Sequence, residues 1–285
     1  MEQTGYTTIR LSTWTAFKDY ITQFSENWAF RGQADSKWIL NTAIERTEFI
    51  YHHKDIEADF LAEFQRGARN YLSKDETPEH LIEWLALMQH HGAPTRLLDL
   101  TRSPFIASYF AYEITDPDKG GCVAIWGINM DYLKNRAIEI LSEDFEEALQ
   151  ENKNLINETL FEKLFYQNNK SLVFPVEPFR MNRRYSLQQS IFVSTGSSKE
   201  PFMQQLLFLE HQLPKAVVKI EVPSCFKKEA LRDLQKMNLH RASLFPDLDG
   251  YALSLRLRYD SMKSPKDLDI ELAQKKNDKD YKFIP

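Results

Sequence analysis

The sequence predicts a single α+β domain in which a mixed β-sheet is flanked by several helices. Three observations carry that prediction. Apolar residues recur at helical spacing over 55–72 and 79–91, so each of these segments buries one face. Runs rich in Val, Ile, Trp, Phe and Leu mark strands at 28–32, 97–101, 122–128, 191–194 and 216–222. Both kinds of segment are interspersed along one chain with no internal repeat and no low-complexity block.

Trp28–Gly32 reads as the first strand. In Asp55–Leu72 the stripe is Ile56, Phe60, Leu61, Phe64, Ala68, Tyr71 and Leu72. Glu79–His91 repeats the pattern with Leu81, Ile82, Trp84, Leu85 and Met88, and Gly92 is placed to end it as a left-handed cap. Ala93-Pro94-Thr95 makes a turn into the strand Leu97–Thr101. Ser103 then serves as N-cap and Pro104 as first helical residue, where its missing N–H costs nothing. Phe105–Tyr112 is apolar on nearly every side, which predicts a buried helix. Gly120-Gly121 leads into the strand Cys122–Ile128, and the strands at 191–194 and 216–222 follow. Leu253, Leu255, Leu257 and Tyr259 alternate as in a strand, but Pro246-Asp247 ahead of an Ala/Leu/Arg-rich run predicts a helix. The domain is assigned to residues 1–259, and the Lys/Asp-rich residues 260–285 to a charged C-terminal tail.

Composition narrows the function. The 285 residues are 42% hydrophobic and 27% charged, ordinary for a globular protein, and the net charge of −5 argues against general nucleic-acid or anionic-membrane binding. With 9 glycines there is neither a G-x-G-x-x-G nor a G-x-x-x-x-G-K-[ST] phosphate cradle. Two cysteines cannot build a disulfide framework or a Cys-based zinc site. No run of ~18 apolar residues exists, and residues 1–19 lack a basic-then-apolar leader, so a cytoplasmic location without a membrane partner is expected.

Four stretches could carry chemistry. In Phe30-Arg31-Gly32-Gln33, Arg31 either pairs with a carboxylate or a helix end, with Gly32 permitting an unusual backbone angle, or grips a phosphate bidentately while Gly32 lets a ligand approach. In the run from Met88 to Pro104, Arg96 and Asp99 are expected to neutralise each other inside. Adjacent His90 and His91 point about 100° apart on a helix, which disfavours a shared metal; no metal is expected. Thr101 and Ser103 precede a helix N-terminus, whose free N–H groups attract anions. In the stretch from Asn182 to Val193, Arg184 and Gln188 lie either on a solvated basic loop or at a strand entrance that can orient sugar hydroxyls. Leu244–Gly250 reads as a structural helix start.

Together these motifs resemble the FRG-domain family, named for its Phe/Tyr-Arg-Gly signature. The matching residues are Phe30-Arg31-Gly32-Gln33 with Trp38, the run Gln89–Asp99 continuing through Thr101, Ser103 and Pro104, Arg184 and Gln188 within 182–192, and Phe245–Gly250. The resemblance spans residues 13–259, with Ser190 where members tend to carry glycine. The order Arg, Thr/Ser step and Gln also resembles, more distantly, the three-part site of ADP-ribosyltransferases, which implies a split sheet and NAD as substrate. On that likeness Arg31 would hold the NAD pyrophosphate or the nicotinamide ribose. Thr101 with Ser103 would line the ribose, and Gln188 would stand where an acidic residue bonds the 2′-hydroxyl. The set implied to bind NAD is Arg31, Gly32, Gln33, Arg96, Ser103 and Arg184, and the catalytic set is Gln188, Thr101 and His91. Glu177 and Glu210 are substitutes for the neutral Gln188, and Trp38 or Tyr109 could stack on a ring.

The activity implied is ADP-ribosyl transfer or NAD hydrolysis, by a bacterial toxin or phage-defence effector with a protein target or a neutralising partner. One alternative is a non-catalytic module that binds a nucleotide or a partner. Another is a hydrolase or nuclease with His90 or His91 as base near Asp99.

Overall fold

The computed structural model describes residues 5–49, 52–53, 55–151, 156–178, 183–207 and 216–260. The tail beyond 260, Asn182 and Glu210 lie outside the described residues. In chain order the elements are β1 (Thr7–Arg10), α1 (Trp14–Tyr20), β2 (Trp28–Gln33), α2 (Ile56–Ala68), α3 (Leu81–His90), β3 (Leu97–Thr101), α4 (Pro104–Glu113), β4 (Cys122–Asn129) and α5 (Met130–Glu151). There follow α6 (Glu158–Gln167), β5 (Val173–Val176), α7 (Arg183–Leu187), β6 (Ser190–Thr195), α8 (Phe202–Leu207), β7 (Val217–Pro223), α9 (Lys227–Lys236), α10 (Arg241–Leu244) and α11 (Leu248–Asp260).

The strands form one seven-stranded sheet in the order β1-β7-β4-β2-β3-β6-β5. Only β1 and β7 run parallel; every other pairing is antiparallel, so the sheet is mixed, as expected. Strand alternation explains the layers. Phe30 of β2, Val123 and Ile125 of β4 and Ile220 and Val222 of β7 face α1, α4 and α9, and pack with Trp14, Phe17, Ala107 and Leu234. Their neighbours Ala29, Ala124, Trp126 and Val217 face the other way, toward Leu133, Phe202 and Leu206. Leu97, Phe174 and Phe192 on the β3-β6-β5 side pack against α2, α3, α5 and α6.

Local signals held at most boundaries. Ser103 Oγ accepts from the Ile106 N–H at 3.3 Å, with Pro104 in the first turn. Gly92 takes the left-handed φ of +85° that ends α3. The segment Leu248–Asp260 is helical. Helix α2 stops at Ala68, short of the expected Leu72, and Tyr71 is 87% exposed, so it does not belong to the buried stripe. Elements β1, β5, α5, α6 and α9 were not expected from the sequence, although α6 starts at an Asn157 N-cap and ends at a left-handed Asn168, and α9 is amphipathic.

Candidate functional site

Between β2 and β3 the sheet is nearly parted. The two strands share a single register pair, Phe30 opposite Thr101, whereas β2 pairs with β4 from Trp28 through Gln33. A pocket of about 900 Å³ opens at this seam, roofed by α4, the end of α3, α7 and Phe245. That volume suits a ligand of nucleotide size.

Arg31 alternates with Phe30 and Gly32 and shares a face with Ala29 and Gln33, so it lies on the face of its register partner Trp126. Its Nη1 donates to the Asp99 carbonyl at 2.7 Å, across the seam. Of the protein partners offered by the sequence, a carboxylate or a helix end, neither takes this bond; the structure supplies a strand carbonyl. A guanidinium has five donors, and one carbonyl bond leaves it able to grip a phosphate. Burial pushes the Arg31 pKa down and nearby Arg46 adds to this, while the Asp99 charge opposes both; the group stays protonated.

Gly32 lines the same pocket, but its need for glycine comes from the protein itself. A Cβ built there would lie 1.8 Å from the Ala107 carbonyl oxygen and 2.8 Å from the Ala111 nitrogen. Helix α4 therefore packs directly on the β2 backbone. Gln33 is also committed internally: its Nε2 donates to the Ile39 carbonyl at 3.0 Å and its Oε1 accepts from Trp126 Nε1 at 2.8 Å.

Thr101 and Gln188 reach the pocket wall together. Thr101 Oγ1 donates to the Gln188 carbonyl at 2.7 Å and accepts from the Ser103 N–H at 3.1 Å, joining β3, α4 and the end of α7. The Gln188 amide Nε2 donates to the Leu244 carbonyl at 2.9 Å. Arg184 of α7 also faces the pocket and stacks over the Phe245 ring, 4.4 Å from its centroid, as does Arg241.

Other expected residues fall elsewhere. Arg96 is not among the pocket-lining residues, and its expected pairing with Asp99 is corrected by the structure. Its Nε meets Glu57 at 2.7 Å, its backbone N–H meets the same carboxylate at 2.7 Å, and its guanidinium lies over Phe165. Both charges are buried, so they must neutralise each other, and Glu57, 39 residues away in sequence, is what the fold brings there. Ser103 acts as the α4 N-cap and is also outside the lining set. His91 is exposed at the end of α3, while His90 faces the pocket. Burial, together with the Arg184 and His91 charges, lowers the His90 pKa, against weaker opposition from Asp247 and Asp99. Tyr109 is core, bonded to Glu113, whereas Trp38 lines the pocket and is 50% exposed. Glu177 pairs with Arg102 away from this pocket.

Several lining residues gave no warning in the sequence: Lys37 and Arg46 from the loop after β2, and Glu113, which with Asp99 supplies the carboxylates. Phe245 belongs to a motif whose local pattern pointed only to a helix start. Around the cavity stand Arg31, Lys37, Arg46 and Arg184 against those two acids, with Phe30, Trp38, Phe110, Tyr185 and Phe245 as aromatic surface. Such a lining suits an anionic ligand that also carries a flat ring. Among the described residues no cluster of His, Cys, Asp and Glu could hold a metal ion, and no helix is long and apolar enough to cross a membrane.

No curated protein and no solved structure matches the chain. Residues 26–120 match the family model of the FRG domain, a span that runs from β2 and the Arg31 seam through α3, β3 and α4. The chain thus carries an FRG domain, and that domain furnishes most of the pocket wall.

Proposed function

We propose that this pocket binds NAD as a substrate and breaks its nicotinamide–ribose bond, passing the ADP-ribosyl group to water or to another acceptor. The observation that supports this reading is convergence: Arg31, Thr101 and Gln188 come from three separate stretches of chain and line one cavity. The cationic groups offer partners for a pyrophosphate, and Trp38 and Phe110 offer faces for a base or the nicotinamide. Bond breaking passes through an oxocarbenium-like state, so positioning and aimed dipoles account for most of the acceleration asked of the protein.

A second reading, a nucleotide-binding module without turnover, is favoured by Gln188: it is neutral and its amide nitrogen is tied to Leu244. Calorimetry with NAD, combined with chromatographic detection of nicotinamide, separates the two. Arg31→Ala removes charge-assisted bonds worth about 1.5–3 kcal/mol, which weakens NAD binding roughly 10- to 100-fold. Arg31→Lys retains part of the affinity. Binding without nicotinamide release supports the second reading, and wild-type protein that binds no NAD overturns both.

A further inference from the structure

We infer that Asp99 is the carboxylate that takes the proton from the attacking nucleophile in this pocket, an assignment that rests on the NAD-cleaving reading and leaves Gln188 with the ribose hydroxyl. Among the described residues two acids line the cavity, Asp99 and Glu113. Glu113 is already engaged: its Oε1 accepts from the Tyr109 hydroxyl at 2.9 Å and pairs with Arg241, and its side chain is only 9% exposed. Asp99 is placed differently. Its strand neighbours Leu98 and Leu100 are buried in the core on one face of β3, which turns Asp99 to the opposite face, the one that Thr101 shares. The bond from Arg31 falls on the Asp99 backbone carbonyl, so the guanidinium is held beside this residue without consuming its carboxylate.

The surroundings complete a reaction site. Arg31 from β2, His90 from the end of α3 and Tyr185 from α7 all feel the Asp99 charge, and Arg184 of α7 and Glu113 of α4 line the same space. His90 Nδ1 is buried and has no hydrogen-bond partner among the described residues. A buried ring nitrogen left in that state calls for a partner brought by a ligand or by water. A Gln amide cannot accept a proton at neutral pH, whereas a carboxylate can, and it can also face the positive charge that develops on the sugar.

In the step assigned here, the bond between C1′ of the ribose and the nicotinamide nitrogen breaks, and its electron pair leaves on that nitrogen, which neutralises the pyridinium. A water oxygen bonds to C1′. The proton it sheds passes to the Asp99 carboxylate and then to solvent, giving nicotinamide, ADP-ribose and one proton.

The test uses the full chain and Asp99→Asn, with thermal unfolding recorded alongside. Nicotinamide release is expected to fall by about 10²–10⁴-fold, the usual contribution of a positioned base. NAD affinity by calorimetry is expected to stay within about threefold, the signature of a group that acts in the transition state rather than in binding. Asp99→Ser serves the same purpose should the amide variant not fold, and Asp99→Glu restores part of the rate. If Asp99→Asn and Asp99→Ser cleave NAD at the wild-type rate while Arg31→Ala does not, the Asp99 assignment falls and the NAD reading stands. Wild-type protein that cleaves no NAD overturns both.

Discussion

Replacing Gly32 with alanine drives one methyl group into the backbone of α4. The added Cβ would sit 1.8 Å from the Ala107 oxygen and 2.9 Å from its carbonyl carbon, where ordinary contact begins at 3.4 Å. The obstacle is main chain, so no side-chain rotation relieves it; the helix itself has to retreat by roughly 1.5 Å. It has nowhere to go, because Ala107, Ala111 and Tyr112 are fully buried against α1, α9 and the sheet. Overpacking usually costs 1–3 kcal/mol, and a backbone clash in a closed layer puts Gly32→Ala at about 3 kcal/mol or more. In a urea titration the midpoint should fall while the slope stays unchanged, and the melting temperature should drop by about 2 °C per kcal/mol, close to 6 °C. Gly67→Ala on α2 is the control of opposite sign. Nothing lies within 4 Å of its added Cβ, so the helix gains up to about 1 kcal/mol from the better helix former. A Gly32→Ala protein within 1 kcal/mol of wild type would show that close helix packing is not what requires glycine at this position.

Two further perturbations probe the frame around the pocket. Glu57→Gln leaves the buried Arg96 guanidinium without its counter-charge and is expected to cost about 3–5 kcal/mol, read as a lowered urea midpoint; a loss under 1 kcal/mol would mean that the pair is dispensable. Asp233 ties α9 to α1 by accepting from Trp14 Nε1 at 3.1 Å and Lys18 Nζ at 2.8 Å, and the Lys18 bond is the main cause that holds its carboxyl below the ordinary aspartate range. A depressed folded-state pKa gives stability that is present at neutral pH and lost as pH falls below about 4. Asp233→Asn should therefore cost about 1 kcal/mol at pH 7, and the gap to wild type should narrow steadily as pH falls below the ordinary aspartate range; a gap that does not narrow with acidification would contradict the linkage.

How much of this was legible in the sequence depended on the range of the interaction. Helix α3, strand β3 and helix α4 announced themselves through periodicity, a capping serine, a proline and a terminal glycine, all acting within a turn or two of chain. Arg31, Thr101, Gln188 and Arg184 stood out by residue type and order, and all four reach the pocket. His91 was named for the catalytic set, yet His90 is the ring that lines the cavity while His91 is exposed, because one residue of helical phase decides which ring faces the cavity and which faces solvent. Arg96 was marked as a buried charge, yet its partner Glu57 belongs to a helix far from it in sequence.

What the sequence determined by itself was the kind of about half of the elements and some of the groups able to bind an anion, Arg31 and Arg184 among them, since both follow from local pattern and side-chain chemistry. Only the tertiary structure decided that β2 and β3 meet at one residue pair and then part, that α4 rests on Gly32, and that the loop cations Lys37 and Arg46 stand beside Arg31. Those outcomes are set by the order of strands in the sheet and by contacts between residues far apart along the chain, which no local window contains.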